Sequence, residues 1–201
     1  NRDSHHPYRF DSYFWYLCGF PEPEALIVLT GGKEKRTILF CREKNEEREV
    51  WDGFRYGPEA ARDAFGFDEA YAFGELEQKL PELIANRSTL WHALGHDPAW
   101  DTKIVTALNT VRAQTRAGKR APSEIRDLRE ALDRMRLIKD VHEMDIMRRA
   151  AAITSAGHAR AMRASRPGQA EYELEAELTH EFRKRGADGH SYNPIVAGGT
   201  N

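Results

Sequence analysis

Cysteine is scarce in this chain: Cys18 and Cys41 are the only two in 201 residues. Two thiols cannot build the disulfide framework of a small secreted domain, so they read as buried thiols in a reducing, cytoplasmic compartment. Long apolar runs are also absent. The longest, Ala25 to Leu29, is strand-sized and falls far short of the roughly 20 residues that span a bilayer. Neither sign of charge dominates. A net charge of −2 and a pI near 6.5 provide no global positive field to hold nucleic acid or an anionic membrane. There is no internal repeat, no low-complexity tract and no signal peptide ahead of the first motif. The first residue is Asn1 rather than Met, which raises the expectation that the natural N-terminus is missing.

What the chain has is aromatic weight. Four Trp, seven Tyr and nine Phe supply core anchors and argue against disorder, although the mean hydropathy of −0.69 is polar. The aromatic run Ser12 to Leu17 reads as a strand, broken by Pro21 and Pro23. Ala25 to Thr30 and Thr37 to Cys41 read as two more strands. Their short links imply an antiparallel meander. The pattern then changes. Pro58 to Phe65, followed by Gly66, reads as a helix. Ala70 to Phe73 and Ser88 to His92 read as strands. Leu76, Leu80, Leu83 and Ile84 fall at helical spacing between them, and Asp101 to Ala113 carries Ile104, Val105, Leu108 and Val111 on one face. Together these predict a mixed sheet with helices packed on it.

After the loop Ala117 to Pro122, Leu128, Leu132, Met135 and Leu137 predict a helix. Asp140 with Glu143 three residues on forms a capping box that opens a long helix to about Ala164, ended by Arg166-Pro167-Gly168. A second helix, Glu171 to Arg185, carries its acids early and its bases late, as the helix dipole favours. His190 to Val196 reads as an extended segment entering a strand. The two late helices have apolar faces, and the short stretch after Lys139 makes a poor independent core. The second unit is therefore expected to be incomplete, with more chain or a partner covering those faces.

No catalytic constellation emerges from composition and spacing. His92 and His96 stand four apart, but Gly95, Asp97 and Pro98 break any helix between them. His5 and His6 form at most a weak surface tag. His142, His158 and His180 lie on mostly polar helix faces. Glu171, Glu173, Glu175 and Glu177 alternate and so do not share one helix face. Gly198-Gly199 lacks the Lys and spacing of a phosphate loop. Arg134, Arg136, Lys139, Arg148 and Arg149 are interleaved with acids and read as a mixed-charge surface.

The run Pro7-Tyr8-Arg9, then Ser12 to Leu17, then Gly19-Phe20-Pro21-Glu22-Pro23-Glu24-Ala25 resembles the opening of the bacterial aminopeptidase P N-terminal domain. Trp51-x-Gly53-x-Arg55-x-Gly57 is similar to a later segment of that domain. Met135-Arg136, Lys139, Glu143 and Arg148-Arg149-Ala150 resemble its junction with the catalytic half. Arg166-Pro167-Gly168, Tyr172, Leu174-Glu175 and Ser191-Tyr192-Asn193-x-Ile195-Val196-x-Gly198 follow in family order.

The resemblance implies an α/β fold. A mixed-sheet N-terminal domain of the creatinase/aminopeptidase P type occupies 1–138, its first helix and strand absent. The first helices and strand of an α+β pita-bread metallopeptidase domain, incomplete, occupy 139–201. It implies an Xaa-Pro aminopeptidase acting on peptides with Pro at position two, and a homo-oligomer, dimer or tetramer. It also implies two Mn²⁺ ions held by carboxylates and a histidine beyond Asn201, which suits an oxygen-loving cation and would activate a bridging hydroxide. No catalytic or metal-ligating residue is assigned within the 201 residues, and the segment alone is expected to be inactive. Three residues carry over as substrate-binding: Tyr192 lining the pocket, Trp51 reaching into a neighbouring subunit's active site, and Arg116 beside active-site access. A prolidase, or a pita-bread relative that binds peptides or histones without catalysis, remains open. No nucleic-acid or membrane partner is expected.

Overall fold

The structure is a computed structural model that describes residues 8–199; the weak histidine tag at His5-His6 lies outside them. The chain divides into two compact units, Asn1–Asp133 and Arg134–Asn201.

In the first unit, α1 (Ser12–Cys18) stands where the aromatic run predicts a strand. Capping overrides β-propensity there. The Asp11 carboxylate accepts from the amides of Tyr13 and Phe14, both at 2.9 Å, and Gly19 closes the helix at φ 64° with its N–H on Trp15 O. Helical spacing then lets Phe14 and Cys18 share one face against the core, while Phe10 stacks on Trp15 at 4.1 Å. The opening meander is thus a helix and one antiparallel pair. β1 (Leu26–Thr30) pairs antiparallel with β2 (Arg36–Cys41), and β2 pairs parallel with β3 (Glu69–Ala72).

β2 is the centre of the mixed sheet, and Ile38 to Cys41 are fully buried on both of its faces. Ile38 and Phe40 pack on α4 (Leu76–Ile84) and α5 (Pro98–Ala113) through Leu80, Ile84, Ile104, Leu108 and Val111. Leu39 and Cys41 face the other way, toward Phe20, Phe67 and Ala61 of α3 (Gly57–Phe65). The period-two alternation of a strand delivers one residue set to each layer. Burial pushes the Cys41 thiol up to about 11.

α2 (Glu46–Asp52) has no counterpart in the sequence reading. Asn45 caps it, accepting from Arg48 N at 3.0 Å. β4 (Thr89–Trp91) and β5 (Glu124–Arg126) form a separate parallel pair. α6 (Leu128–Leu137) follows, its start held by the Asp127 carboxylate accepting from Arg129 N at 2.9 Å. The Arg129 side chain grips both Asp127 oxygens and, with the Arg129 amide, pulls that carboxyl down to about 2.

In the second unit, Asp140 and Glu143 exchange capping hydrogen bonds at the start of α7 (Val141–Ala164). α7 packs on α8 (Glu171–Lys184) at Gly157, where a Cβ would stand 2.4 Å from Phe182 Cε1. Arg160 on α7 reaches Glu177 and Glu181 on α8; buried Glu181 also accepts from Arg185 at 2.6 Å. Residues 190–199, expected to enter a strand, run as bends and coil. No strand among the described residues of this unit offers a ladder, and Pro194 removes a donor.

Replacing Gly157 by Ala is expected to lower stability by about 1–3 kcal/mol despite the better helix propensity of Ala, because Phe182 must leave its place. Urea melts check this, and Gly157→Ala combined with Phe182→Ala should recover part of the loss. For Asp127, the folded carboxyl titrates below its unfolded value. Its stabilising contribution is therefore present above about pH 4 and lost as pH falls through about 2. The Asp127 carboxyl carbon shift followed by NMR should show the low midpoint, and Arg129→Met should raise it.

Candidate functional site

The sequence motifs converge on one buried carboxylate. Glu22, between Pro21 and Pro23, is only 6% exposed. Its Oε1 accepts from Tyr56 N at 2.6 Å, and its Oε2 faces Arg42 Nη2 at 3.5 Å. Tyr8 OH reaches Glu22 O at 3.4 Å. One acid therefore ties the Gly-Phe-Pro-Glu segment to the exit of β2 and to the start of α3.

The loop between β2 and α3 carries the Trp51-x-Gly53-x-Arg55-x-Gly57 motif, and most of that motif is architecture. Gly53 lies at φ 83° and ψ 177°, a region open in practice only to glycine. Gly57 lies at φ 71°, and a Cβ there would press on Lys44 at 3.1 Å. Glu49 Oε1 accepts from Arg55 N at 3.0 Å and from Lys44 Nζ at 2.6 Å. Lys44 Nζ also donates to Arg55 O at 3.1 Å and sits 4.3 Å from the Phe54 ring centroid. Arg55 pairs with Asp52 at 2.6 Å. These bonds hold α2 as a braced arm. Trp51 at its end is 85% exposed, flanked by exposed Val50 and Phe54.

Arg116 lies exposed in the single 3₁₀ turn Thr115–Ala117 after α5. No hydrogen bond or ring contact joins it to Trp51 among the described residues. Tyr192, in the second unit, is 75% exposed and helps to line a cavity of about 470 Å³ with His158, Phe182, His190 and Ile195. His190 Nε2 lies 2.7 Å from Thr179 Oγ1, and its ring meets Phe182 edge-on at 5.1 Å.

Among the described residues, no group of three or more His, Cys, Asp or Glu side chains is placed to hold a metal ion. His92 is engaged otherwise. Its Nε2 lies 3.0 Å from Asp101 Oδ1, whose other oxygen accepts from Gly95 N at 2.9 Å. The residues present thus do not fit a dimetal centre, and no chemical step through metal follows from them. Sequence reasoning missed the roles of Glu22 and Lys44. The usable signal was an acid set between two prolines in an apolar run, and a Lys five residues ahead of an acid in a Trp-Gly-Arg-Gly loop.

Comparison with known proteins agrees with this architecture. Residues 1–91 match the family model for the aminopeptidase P N-terminal domain, and residues 145–201 match that for metallopeptidase family M24. The Xaa-Pro aminopeptidase of Escherichia coli K12 is 41% identical over 99% of this chain and 46% of its own length. That of Haemophilus influenzae is 39% identical over 44% of its length, and human Xaa-Pro aminopeptidase 3 is 35% identical over 39% of its length. A zinc-substituted E. coli aminopeptidase P in complex with product superposes with a TM-score of 0.91 at 40% identity, covering 96% of this chain and 44% of that one. The chain spans just under half the length of these bacterial relatives. The class is therefore an aminopeptidase P N-terminal domain joined to the opening of an M24 metallopeptidase domain. Over its whole length the chain corresponds to the N-terminal part of bacterial Xaa-Pro aminopeptidase.

Removing the Glu22 carboxylate should leave Arg42 buried without its counter-charge and Tyr56 N without an acceptor. Glu22→Ala is expected to cost about 3–5 kcal/mol, and Glu22→Gln distinctly less, as read from denaturant midpoints.

Proposed function

We propose that this chain is the scaffold-bearing part of an Xaa-Pro aminopeptidase, with the aminopeptidase P domain at 1–138 and the opening of the pita-bread domain at 139–201. Identity of 41% across essentially the whole chain to an Xaa-Pro aminopeptidase carries this reading. The full protein would act in the cytoplasm on peptides with Pro at position two. It would use divalent ions, two Mn²⁺, bound by residues outside this segment, and assemble as a homo-oligomer.

Within that reading the chain's own residues bind and exclude. The Xaa-Pro amide has no N–H and its ring is rigid, so selection rests on an apolar face rather than on a donor. Trp51, held out on its braced arm, offers such a face to a neighbouring subunit's pocket. The Tyr192 phenol stands free to hold substrate, and Arg116 flanks the approach.

Full-length protein supplied with Mn²⁺ should release the first residue from Xaa-Pro-Yaa and leave Xaa-Ala-Yaa intact. Cleavage of Xaa-Pro dipeptides alone would make it a prolidase, and binding without cleavage a peptide-binding module. The 201 residues alone should not hydrolyse either substrate. Trp51→Ala should lower kcat/KM for the tripeptide by about three- to tenfold with the monomer fold intact.

A further inference from the structure

Cations of the first unit are mostly matched. Arg36, Arg42, Lys44, Arg55, Lys79 and Lys103 each face a carboxylate. Lys33, Arg87, Lys119 and Arg120 face none among the described residues, and they stand together. Asn86, at φ 60°, donates to Arg120 O at 2.7 Å and accepts from Arg120 N at 3.0 Å. Its neighbour Arg87 donates to Gly31 O at 2.9 Å, which holds the β1–β2 turn bearing Lys33 against the same surface. Glu34 is the one carboxylate of that turn. From Thr102 to Ser123 the sequence has five basic residues and no acid. Arg116 belongs to this stretch and is exposed.

A concentrated, unneutralised charge on a chain of net −2 calls for a counterpart. The same stretch has no aromatic residue on which a base could stack, which disfavours nucleic acid. The counterpart is present on the chain itself. Glu43, Glu46 and Glu47 are exposed at the start of α2 and form no ion pair among the described residues, with Arg48 the one cation beside them. Exposed Val50, Trp51 and Phe54 adjoin them. An apolar centre with a charged rim is the anatomy of a protein interface.

We propose that the cationic surface centred on Arg120 receives the acidic start of α2 from a second copy of this chain. The inference deepens the homo-oligomer reading above and rests on it. Sedimentation velocity of the 201-residue chain at low and high salt tests it. The parent should self-associate, more weakly as salt rises. Lys119→Glu with Arg120→Glu should weaken association by about tenfold or more, as should Glu46→Lys with Glu47→Lys. The four substitutions combined should restore it, since the charges are exchanged rather than lost. None of these four side chains makes a hydrogen bond or ion pair within the chain among the described residues, so melting temperatures should hold.

A parent that stays monomeric overturns the proposal, and does so equally if it binds a labelled oligoglutamate peptide, which would assign the surface to an outside acidic partner. Indifference of association to the reversals overturns it too, as does failure of the combined variant to recover. Trp51→Ala separates the two readings. If it weakens association while the reversals do not, the Trp51 arm survives and the charge pairing fails. If the reversals act and Trp51→Ala does not, the charge pairing stands alone.

Discussion

Taking a carboxylate out of water costs several kcal/mol unless its lone pairs and charge are met. Glu22 is buried, and its surroundings meet that cost with one backbone amide and one guanidinium. The consequence reaches well beyond the residue. Arg42 leaves β2 immediately after Cys41, and Tyr56 stands just ahead of α3. Fixing both to one acid closes the loop between β2 and α3 at its two ends. Everything inside that loop, α2 and its arm included, is positioned relative to the core by this closure. Lys44 and Glu49 then brace the interior of the loop against itself. A hydrophobic core alone could bury β2, but it is non-directional and would leave the loop free to take many paths. The buried acid supplies the direction.

Strands and helices whose signal is a period were legible in the sequence. β2 could be read because Thr37 to Cys41 is a short continuous apolar run, and the structure buries both of its faces. The start of α7 was legible because Asp140 and Glu143 satisfy each other's backbone amides, a local device that needs no tertiary partner. α1 was misread because Tyr13, Phe14, Trp15 and Tyr16 all favour strands. The caps Asp11 and Gly19 at the two ends carried the true signal. α2 was missed because its seven residues hold no apolar period. Its stability comes from Asn45 and from the Lys44, Glu49 and Arg55 contacts, which are visible only once the chain is folded. The segment after His190 illustrates the opposite case. Its residues favour extension, yet a strand exists only as one side of a ladder, and no second side is described in that unit.

The candidate site divides along the same line. Family-like motifs mix residues that the fold consumes with residues that it leaves over, and a sequence alone cannot sort them. In the loop motif, Gly53 and Gly57 are consumed by backbone angles that a side chain would strain, and Arg55 by Asp52. Trp51 is left over. It buries almost nothing in its own chain, although a tryptophan side chain gains more from burial than any other. A residue of that kind held out by a dedicated ion-pair brace has its binding energy still unspent within the chain, and an intermolecular contact is where such energy can be realised.

The second unit supports the same logic from a different direction. Gly157 lets α7 and α8 approach closely at Phe182, and Arg160 locks them through Glu177 and Glu181. That pair is rigid because a ring fills the space a Cβ would need. Yet Met144, Ile146, Met147 and Met162 on α7 remain exposed beside a crossing this tight. Close packing at the crossing and open apolar surface beside it cannot both be the resting state of a two-helix unit in water. The tight crossing makes sense as a preformed edge, rigid enough that whatever covers the exposed face meets a surface already in place and spends little on ordering it.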